Sequence, residues 1–250
     1  MAGGAVAIVL GRAGSKGVPG KNTRSIAGKP CAAWTIEHAQ HTPGVDLIVV
    51  STDSDELKSL AQSMGAHVVD RPDDLAGDTA TVDDAARHAM SSIADSHPWT
   101  TDPLLPVLIL YANVPVRPAD LSERALKLLR DSGCDSAQSY ERVGKHHPWW
   151  MVRLDDESGM LSPWEGDVLN HGVFRRQDLP AAHLPDGGAI ALTRRSLMLE
   201  ITGVREGPHA FFGKDRRGIV SPAGAVVDID EEADVVRAEI LLGGGVSAHR

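Results

Sequence analysis

Cysteine is nearly absent: the 250-residue chain has two, Cys31 and Cys134, with no CxxC spacing. That excludes a disulfide framework, so the fold must rest on a buried core. A compact chain of this length buries roughly 70–75% of its unfolded surface and needs no covalent staple. Long apolar runs are missing as well, and none reaches the roughly 18 residues of a membrane-spanning helix. The amino terminus has neither the basic stretch nor the small-residue cleavage site of a secretory signal, so the expected location is the cytoplasm. Positive charge is in deficit: 25 Lys and Arg against 34 Asp and Glu leave a net charge of −9. Such a balance argues against a general binder of nucleic acid or of a membrane surface, although a local cationic cluster can still hold a small anion. A GxSxG elbow is lacking, which leaves a serine hydrolase unsupported. The 25 Gly and 15 Pro are too few to signal disorder.

What is present alternates between strand and helix signals. Ala5–Leu10 is an unbroken apolar run, suited to a strand buried on both faces. Pro30 stands where the first turn of a helix through Ala33, Trp34, Ile36 and Ala39 would begin. Leu47–Val50 reads as a second strand, followed by an Asp53/Glu56 capping box and a helix stripe of Leu57, Leu60, Ala61 and Met64 that ends at Gly65. His67–Val69 and Val107–Tyr111 are further strands, and Thr81 caps a helix through Ala85, Ala86, Ala89 and Ile93. Pro118 opens a helix closed by Gly133. Trp149–Leu154, Ala189–Thr193 and Ala225–Asp230 read as strands, and Glu231–Leu242 as the final helix. The expected fold class is α/β: a single domain over residues 1–250 with a mostly parallel central sheet and helices on both faces. The pattern weakens over residues 138–185, which hold Trp149, Trp150 and Trp164. That segment is expected to be an arm or a dimer contact. His146-His147-Pro148 has no second His or Cys pair at zinc spacing, so a loop cap is expected there rather than a metal site.

The most informative stretch follows the first strand: Gly11-Arg12-Ala13-Gly14-Ser15-Lys16-Gly17-Val18-Pro19-Gly20-Lys21-Asn22. Gly14, Gly17 and Gly20 let backbone N–H groups approach a ligand, and Arg12, Lys16 and Lys21 place three cations on the same loop. Backbone donors together with fixed cations suit a triphosphate. The loop is neither a Walker A sequence nor GxGxxG. A loop at the carboxyl end of the first strand of an α/β sheet is where ligands bind. Near the other end of the chain, Asp228 and Asp230 are two residues apart on an expected strand. Alternation puts them on one face, about 6–7 Å apart at Cα, where two hard carboxylates can share Mg²⁺ (or Mn²⁺) with phosphate oxygens. The plainer reading makes Asp230 the N-cap of the helix that follows. Arg71 either neutralises phosphate or pairs with Asp73 or Asp74 on the surface. Asp78, Thr79 and Ala80 either contact the nucleotide or lead into the Thr81 cap.

The ordered set of motifs resembles the CMP-sialic acid synthetases, the acylneuraminate cytidylyltransferases. The loop from Arg12 to Asn22 looks like their R-x-x-S-K-G-hydrophobic-P-x-K-N signature. Arg71–Ala80 resembles their R-P-x-x-L-A-x-D-x-A segment, Arg176–Pro180 their R-Q-x-L-P segment, and Val227–Asp230 their D-I-D segment. The resemblance runs from about Ala5 to Leu242. It implies a Rossmann-like nucleotide-diphospho-sugar transferase fold and the reaction of CTP with a 2-keto-3-deoxy sugar acid to give a CMP-sugar and pyrophosphate. It implies that Gly11, Arg12, Gly14, Ser15, Lys16, Lys21, Asn22, Arg71, Asp78, Thr79 and Ala80 bind the nucleotide, with Arg12, Lys16 and Lys21 catalytic. Asp228 and Asp230 become the metal ligands. Tyr111, Asn113, Arg117, Arg176 and Asp186 fall on the sugar side, where Arg176 would pair with the sugar carboxylate. It also implies a homodimer in which the arm crosses to the partner. The sugar side departs from the family pattern. Tyr111 stands for a glutamine, Trp150 for a lysine, Leu184 for an arginine and Asp186 for an asparagine. The acceptor is therefore open between N-acetylneuraminate, another nonulosonic acid and another 2-keto-3-deoxy sugar acid. Two alternatives share the loop and the acid pair: a glycosyltransferase that consumes a nucleotide sugar, and a non-catalytic nucleotide-binding relative. Three cations on a Gly-rich turn favour a triphosphate over the first. The intact Lys21, Asp228 and Asp230 count against the second.

Overall fold

A computed structural model describes residues 4–14, 17–77, 80–205 and 207–243. Seven strands form one sheet: β1 (Ala5–Leu10), β2 (Val45–Thr52), β3 (His67–Asp70), β4 (Pro106–Tyr111), β5 (Ser136–Arg142), β6 (His183–Thr193) and β7 (Arg216–Ser221). Their spatial order is β7-β5-β6-β4-β1-β2-β3. All adjacent pairs are parallel except those made by β6, which runs against both β4 and β5. The helices are α1 (Cys31–His41), α2 (Asp55–Ser63), α3 (Val82–Ile93), α4 (Leu121–Ser132), the short α5 (Arg194–Leu197) and α6 (Glu232–Gly243). No described helix is long and apolar enough to cross a membrane.

β1 is buried along its whole length because both of its faces meet helices. Its odd-numbered residues Ala5, Ala7 and Val9 join the cluster with α1, α2 and α4, while Val6, Ile8 and Leu10 join the cluster with α3. The chain leaves β1 for β2 on one side and reaches β4 on the other, so the order reverses between β1 and β4. A crevice opens beyond the carboxyl ends of the strands at such a switch point.

Local chemistry explains the corrections to the expected elements. Ser54, not Asp53, caps α2: its hydroxyl accepts from Leu57 N at 3.3 Å. Asp53 is turned to the Gly-rich loop, where its Oδ1 accepts from Ala13 N at 2.8 Å. Thr81 does cap α3, accepting from Asp84 N at 3.2 Å, and Gly133 ends α4 in the left-handed region. Pro30 precedes α1 as its N-cap, and α4 begins at Leu121 rather than at Pro118. The segment Ala225–Asp230 is not a strand of the sheet and makes one isolated bridge, Val116 to Val227. The edge strand of that region is β7, whose Arg-Arg-Gly start hid it from a reading of apolar runs. Trp149 and Trp150 sit in a 3₁₀ turn, so the expected strand from Trp149 is reduced to Val152–Leu154, paired with Leu161–Pro163. His147 is a loop cap as expected, its Nδ1 accepting from Trp149 N at 3.1 Å.

Three strands are tied together by one half-buried carboxylate. β6 bulges between Pro185 and Ile190. Within the bulge, Asp186 accepts from the hydroxyls of Ser139 on β5 and Ser221 on β7, and from Gly188 N at 2.9 Å. Ser139 Oγ in turn accepts from Ala189 N at 2.9 Å. Asp186→Ala should leave these donors without an acceptor and lower the unfolding free energy by about 1–3 kcal/mol in urea titration, with a smaller loss for Asp186→Asn, which keeps one carbonyl oxygen.

Candidate active site

The Gly-rich loop and the acid pair are brought together by a small apolar cluster. Val18 of the loop is fully buried against Val227, Ile229, Ile26 and Cys31, with Val235 and Ala238 of α6 closing the cluster. Val227 N donates to Val116 O at 3.0 Å and Ile229 N to Asn113 O at 2.9 Å, which holds the acidic segment against the loop after β4. With Val227 and Ile229 turned into the cluster, Asp228 and Asp230 are left on the opposite side. The alternation that the sequence suggested therefore holds in an extended segment outside the sheet. Gly17 is required by this packing, because a Cβ built on it would lie 2.1 Å from the Asp230 carbonyl oxygen.

The crevice at the switch point is a cavity of about 380 Å³. Gly11, Arg12, Gly14, Lys21, Asn22, Arg71 and Ala80 of the expected nucleotide set line it, together with Tyr111, Asn113 and Asp230. Ser15, Lys16, Asp78 and Thr79 lie outside the described residues. Lys21 Nζ donates to Asp230 Oδ1 and to Ile229 O, both at 2.8 Å. Arg12 reaches Ala76 O at 3.5 Å, and its own carbonyl accepts from Asn22 Nδ2 at 2.8 Å. Asn22 Oδ1 is buried without a partner among the described residues, an acceptor at the cavity wall. Arg71 is buried and does not pair with Asp73 or Asp74. Its guanidinium grips the end of β2, donating to Ser51 O at 2.7 Å and to Ser51 Oγ at 3.2 Å. Burial pulls the Arg71 pKa down, and nearby Asp53 opposes that shift. Asp53 was absent from the expected set. An acid immediately after a strand and facing a Gly-rich loop was the available signal.

Asp228 is half-buried, accepts from Asn113 Nδ2, and lies close to Gly187 of the β6 bulge. Burial first, and Asp230 second, push its carboxyl up to about 6. Such a carboxylate favours a cation nearby. The oxygen-only donors of Asp228 and Asp230 fit a hard divalent ion that keeps water and phosphate as its other ligands. Among the described residues no group of three or more His, Cys, Asp or Glu forms a fuller cage.

The expected sugar-side residues are dispersed. Tyr111 lines the first cavity and also a second one of about 560 Å³ beside it, and burial pushes its phenol up to about 12. Arg117 lines neither. It props the turn from below, donating to Thr35 Oγ1 at 3.1 Å and to Tyr111 O at 3.4 Å, and burial draws its pKa down to about 10. Asp186 has its oxygens engaged in the β6 bulge. Arg176 is elsewhere, in a hollow with Arg142, packed over Gly144. The second cavity draws on residues that sequence reasoning missed, among them Gln138, Tyr140, Phe211, Phe212 and Arg216. They come from β5, β7 and an irregular turn, so no local motif joined them.

Two outcomes test this geometry. Gly17→Ala should part the loop from the acidic segment, read as faster limited proteolysis next to Lys21 while the melting temperature falls little, because a Cβ at 2.1 Å from the Asp230 carbonyl oxygen forces the loop to move. A carboxylate with a raised folded pKa loses stability as pH rises from its unfolded value toward about 6. Asp228→Asn should therefore melt higher than the parent protein in metal-free buffer at pH 8, with the gain fading below pH 6 and gone near pH 4, as read by thermal denaturation.

Comparison with known proteins places this geometry. A family profile described as cytidylyltransferase matches residues 6–106. The chain is 26% identical over 233 residues to the N-acylneuraminate cytidylyltransferase of Escherichia coli, covering 92% of this chain and 50% of that protein. It is 32% identical over 159 residues to the CMP-N,N'-diacetyllegionaminic acid synthase of Legionella pneumophila, covering 63% of this chain and 66% of that one. It thus spans about half the length of several curated relatives that it matches. In fold it is similar to a CMP:2-keto-3-deoxy-manno-octonic acid synthetase complexed with CTP, with a TM-score of 0.68 and 19% identity over 96% of this chain and 98% of that one. It is also similar to a 4-diphosphocytidyl-2C-methyl-D-erythritol synthase, with a TM-score of 0.64 and 14% identity over 97% and 99%. The chain is thus similar to the acylneuraminate cytidylyltransferases over most of its own length, and the cytidylyltransferase profile covers its amino-terminal part.

Proposed function

We propose that this protein is a nucleotidyltransferase that activates a 2-keto-3-deoxy sugar acid with CTP, giving the CMP-sugar and pyrophosphate. The observation that carries the reading is the meeting of a cationic Gly-rich loop and two carboxylates at the switch-point cavity, with a second cavity adjoining at Tyr111. The triphosphate takes the first cavity and the sugar acid the second, so the anomeric hydroxyl approaches the α-phosphorus near Tyr111. Lys21 exchanges its present carboxylate partner for the phosphate, and with Arg12 it stabilises the charge that grows on the α-phosphate oxygens. Lys16 is assigned to the β- and γ-phosphates. Asn22 Oδ1 and the wall at Ala80 orient the nucleoside, and Arg71 supplies a fixed positive charge behind it. Asp228 and Asp230 would hold Mg²⁺ or Mn²⁺, which neutralises the leaving pyrophosphate when bound. Catalysis is then positioning together with electrostatics.

The arm and Arg176 belong to a homodimer in this reading. Phe174 is 83% exposed and Met160 71%, an unusual display of apolar side chains on a single segment. A second subunit would cover them and bring Arg176 to the partner's sugar carboxylate. Both cysteines are buried and unpaired, which suits the reducing cytoplasm where CTP is available.

Lys21→Ala should lower kcat for pyrophosphate release at least tens-fold while the melting temperature stays within a few degrees of the parent. Turnover at the parental rate would remove Lys21 from the mechanism. The assay uses CTP, Mg²⁺ and a panel of sugar acids, with ATP, GTP and UTP as controls.

A further inference from the structure

The peptide between Arg12 and Ala13 is held at both ends. Its N–H donates to Asp53 Oδ1 at 2.8 Å, and its carbonyl accepts from Asn22 Nδ2 at 2.8 Å. A peptide is planar, so fixing its N–H fixes the direction of its carbonyl. The carbonyl in turn fixes Asn22. Only the amide nitrogen of that side chain can donate, so Nδ2 must face Arg12 O and Oδ1 must face away from it. Oδ1 is left buried at the cavity wall, with no partner among the described residues. A chain of contacts thus runs from Asp53, through one peptide, to an acceptor beside the cavity.

Asp53 has no part in capping the helix that it precedes. Ser54 caps α2, and Asp55 and Glu56 supply the acidic first turn that suits a helix amino terminus. Nor does its charge suit an anion site. Arg71, which lines the cavity, lies within electrostatic reach of Asp53, and a carboxylate there offsets part of the positive charge. The loop as a whole has other anchors. Gly11 N donates to Ser51 O at 3.3 Å, the Thr23 hydroxyl donates to Glu56 Oε2 at 2.8 Å, and Val18 is buried in its apolar cluster. What is left for Asp53 is the orientation of the Arg12–Ala13 peptide.

We infer that Asp53 is a positioning residue for the nucleotide: it aims Asn22 Oδ1 at a hydroxyl or amino donor of the nucleoside, and it acts through its hydrogen bond rather than through its charge. A buried acceptor without a partner gains most from a ligand that brings a donor. CTP carries such donors on its ribose and base, whereas inorganic tripolyphosphate offers a chain of phosphates without them. The inference rests on the proposed reading of this cavity as the nucleotide site, and the test separates it from the proposed reaction. Calorimetry on the full chain, with EDTA and no sugar acid so that no turnover occurs, would compare CTP with tripolyphosphate. Asp53→Ala should lower the affinity for CTP about tenfold and that for tripolyphosphate less than about threefold. Asp53→Asn keeps an acceptor oxygen and drops the charge, and should bind CTP within about threefold of the parent protein. Asp55→Asn removes the same charge two residues away, from a side chain that is 95% exposed, and should change neither affinity. In the ligand-free protein the Ala13 amide should exchange its hydrogen at least tenfold faster in Asp53→Ala, and at close to the parental rate in Asp53→Asn. Equal weakening of both ligands would make Asp53 a support of the whole loop and overturn the inference. A loss in Asp53→Asn that matches the loss in Asp53→Ala, or no binding of CTP by the parent protein, would overturn it too. The expected affinities without pyrophosphate release in the metal-loaded assay would uphold it and sink the proposed reaction. Pyrophosphate release with CTP affinity unchanged in Asp53→Ala would do the reverse.

Discussion

The site depends on one apolar contact. Val18, in the middle of a polar loop, is buried with Val227 and Ile229, which alternate with the two acids. Without that contact the cationic loop and the carboxylates would be separate surface features more than 200 residues apart in sequence. Burying three aliphatic side chains contributes several kcal/mol by area burial, enough to hold opposite charges in register at the mouth of a cavity. The charges alone would not do this, since Asp230 is largely exposed and exposed ion pairs contribute little.

The same contact sets up an electrostatic tension. Asp228 is held half-buried next to Asp230, with its charge disfavoured by both burial and repulsion. Lys21 answers part of that charge by lying on Asp230 and on the Ile229 carbonyl. Arg117 lies beneath, with a buried Nε that has no partner among the described residues. A site of this kind gives up stability for affinity toward a charged ligand, because groups that repel in the empty protein attract what is to be bound. Fixed supports keep it in place: Arg71 clamps the end of β2, Asp53 holds the loop at Ala13, and Asp186 braces the bulge that brings Gly187 beside Asp228.

Much of the fold was legible because its central strands are short apolar runs between good helix signals. Ala5–Leu10, Leu47–Val50, His67–Val69 and Val107–Tyr111 all fall within strands of the sheet, and the Thr81 cap and Gly133 end stand as read. The failures lie toward the carboxyl half. β7 begins with two exposed arginines and a glycine, so its pairing with β5 had no apolar signature. Val226 to Ile229 has the apolar alternation of a strand, but it satisfies that pattern against the Val18 cluster instead of a sheet neighbour. Periodicity reports that a face is buried and does not report what buries it.

By itself the sequence determined the cationic Gly-rich loop after β1 and its place at the carboxyl end of that strand. Such a loop is contiguous, so its glycines and its cations appear side by side, and the resemblance could be read there directly. Only the tertiary structure decided the rest. It showed that Asp53 serves the loop and Ser54 the helix, that Arg71 is buried on Ser51, and that Arg176 lines neither the switch-point cavity nor the one beside it. It also assembled the second cavity from β4, β5, β6, β7 and a distant aromatic turn. The reason is physical: a cavity wall is made of single residues from many segments, each fixed by the packing of its own element, and no spacing along the chain records which of them will face one another.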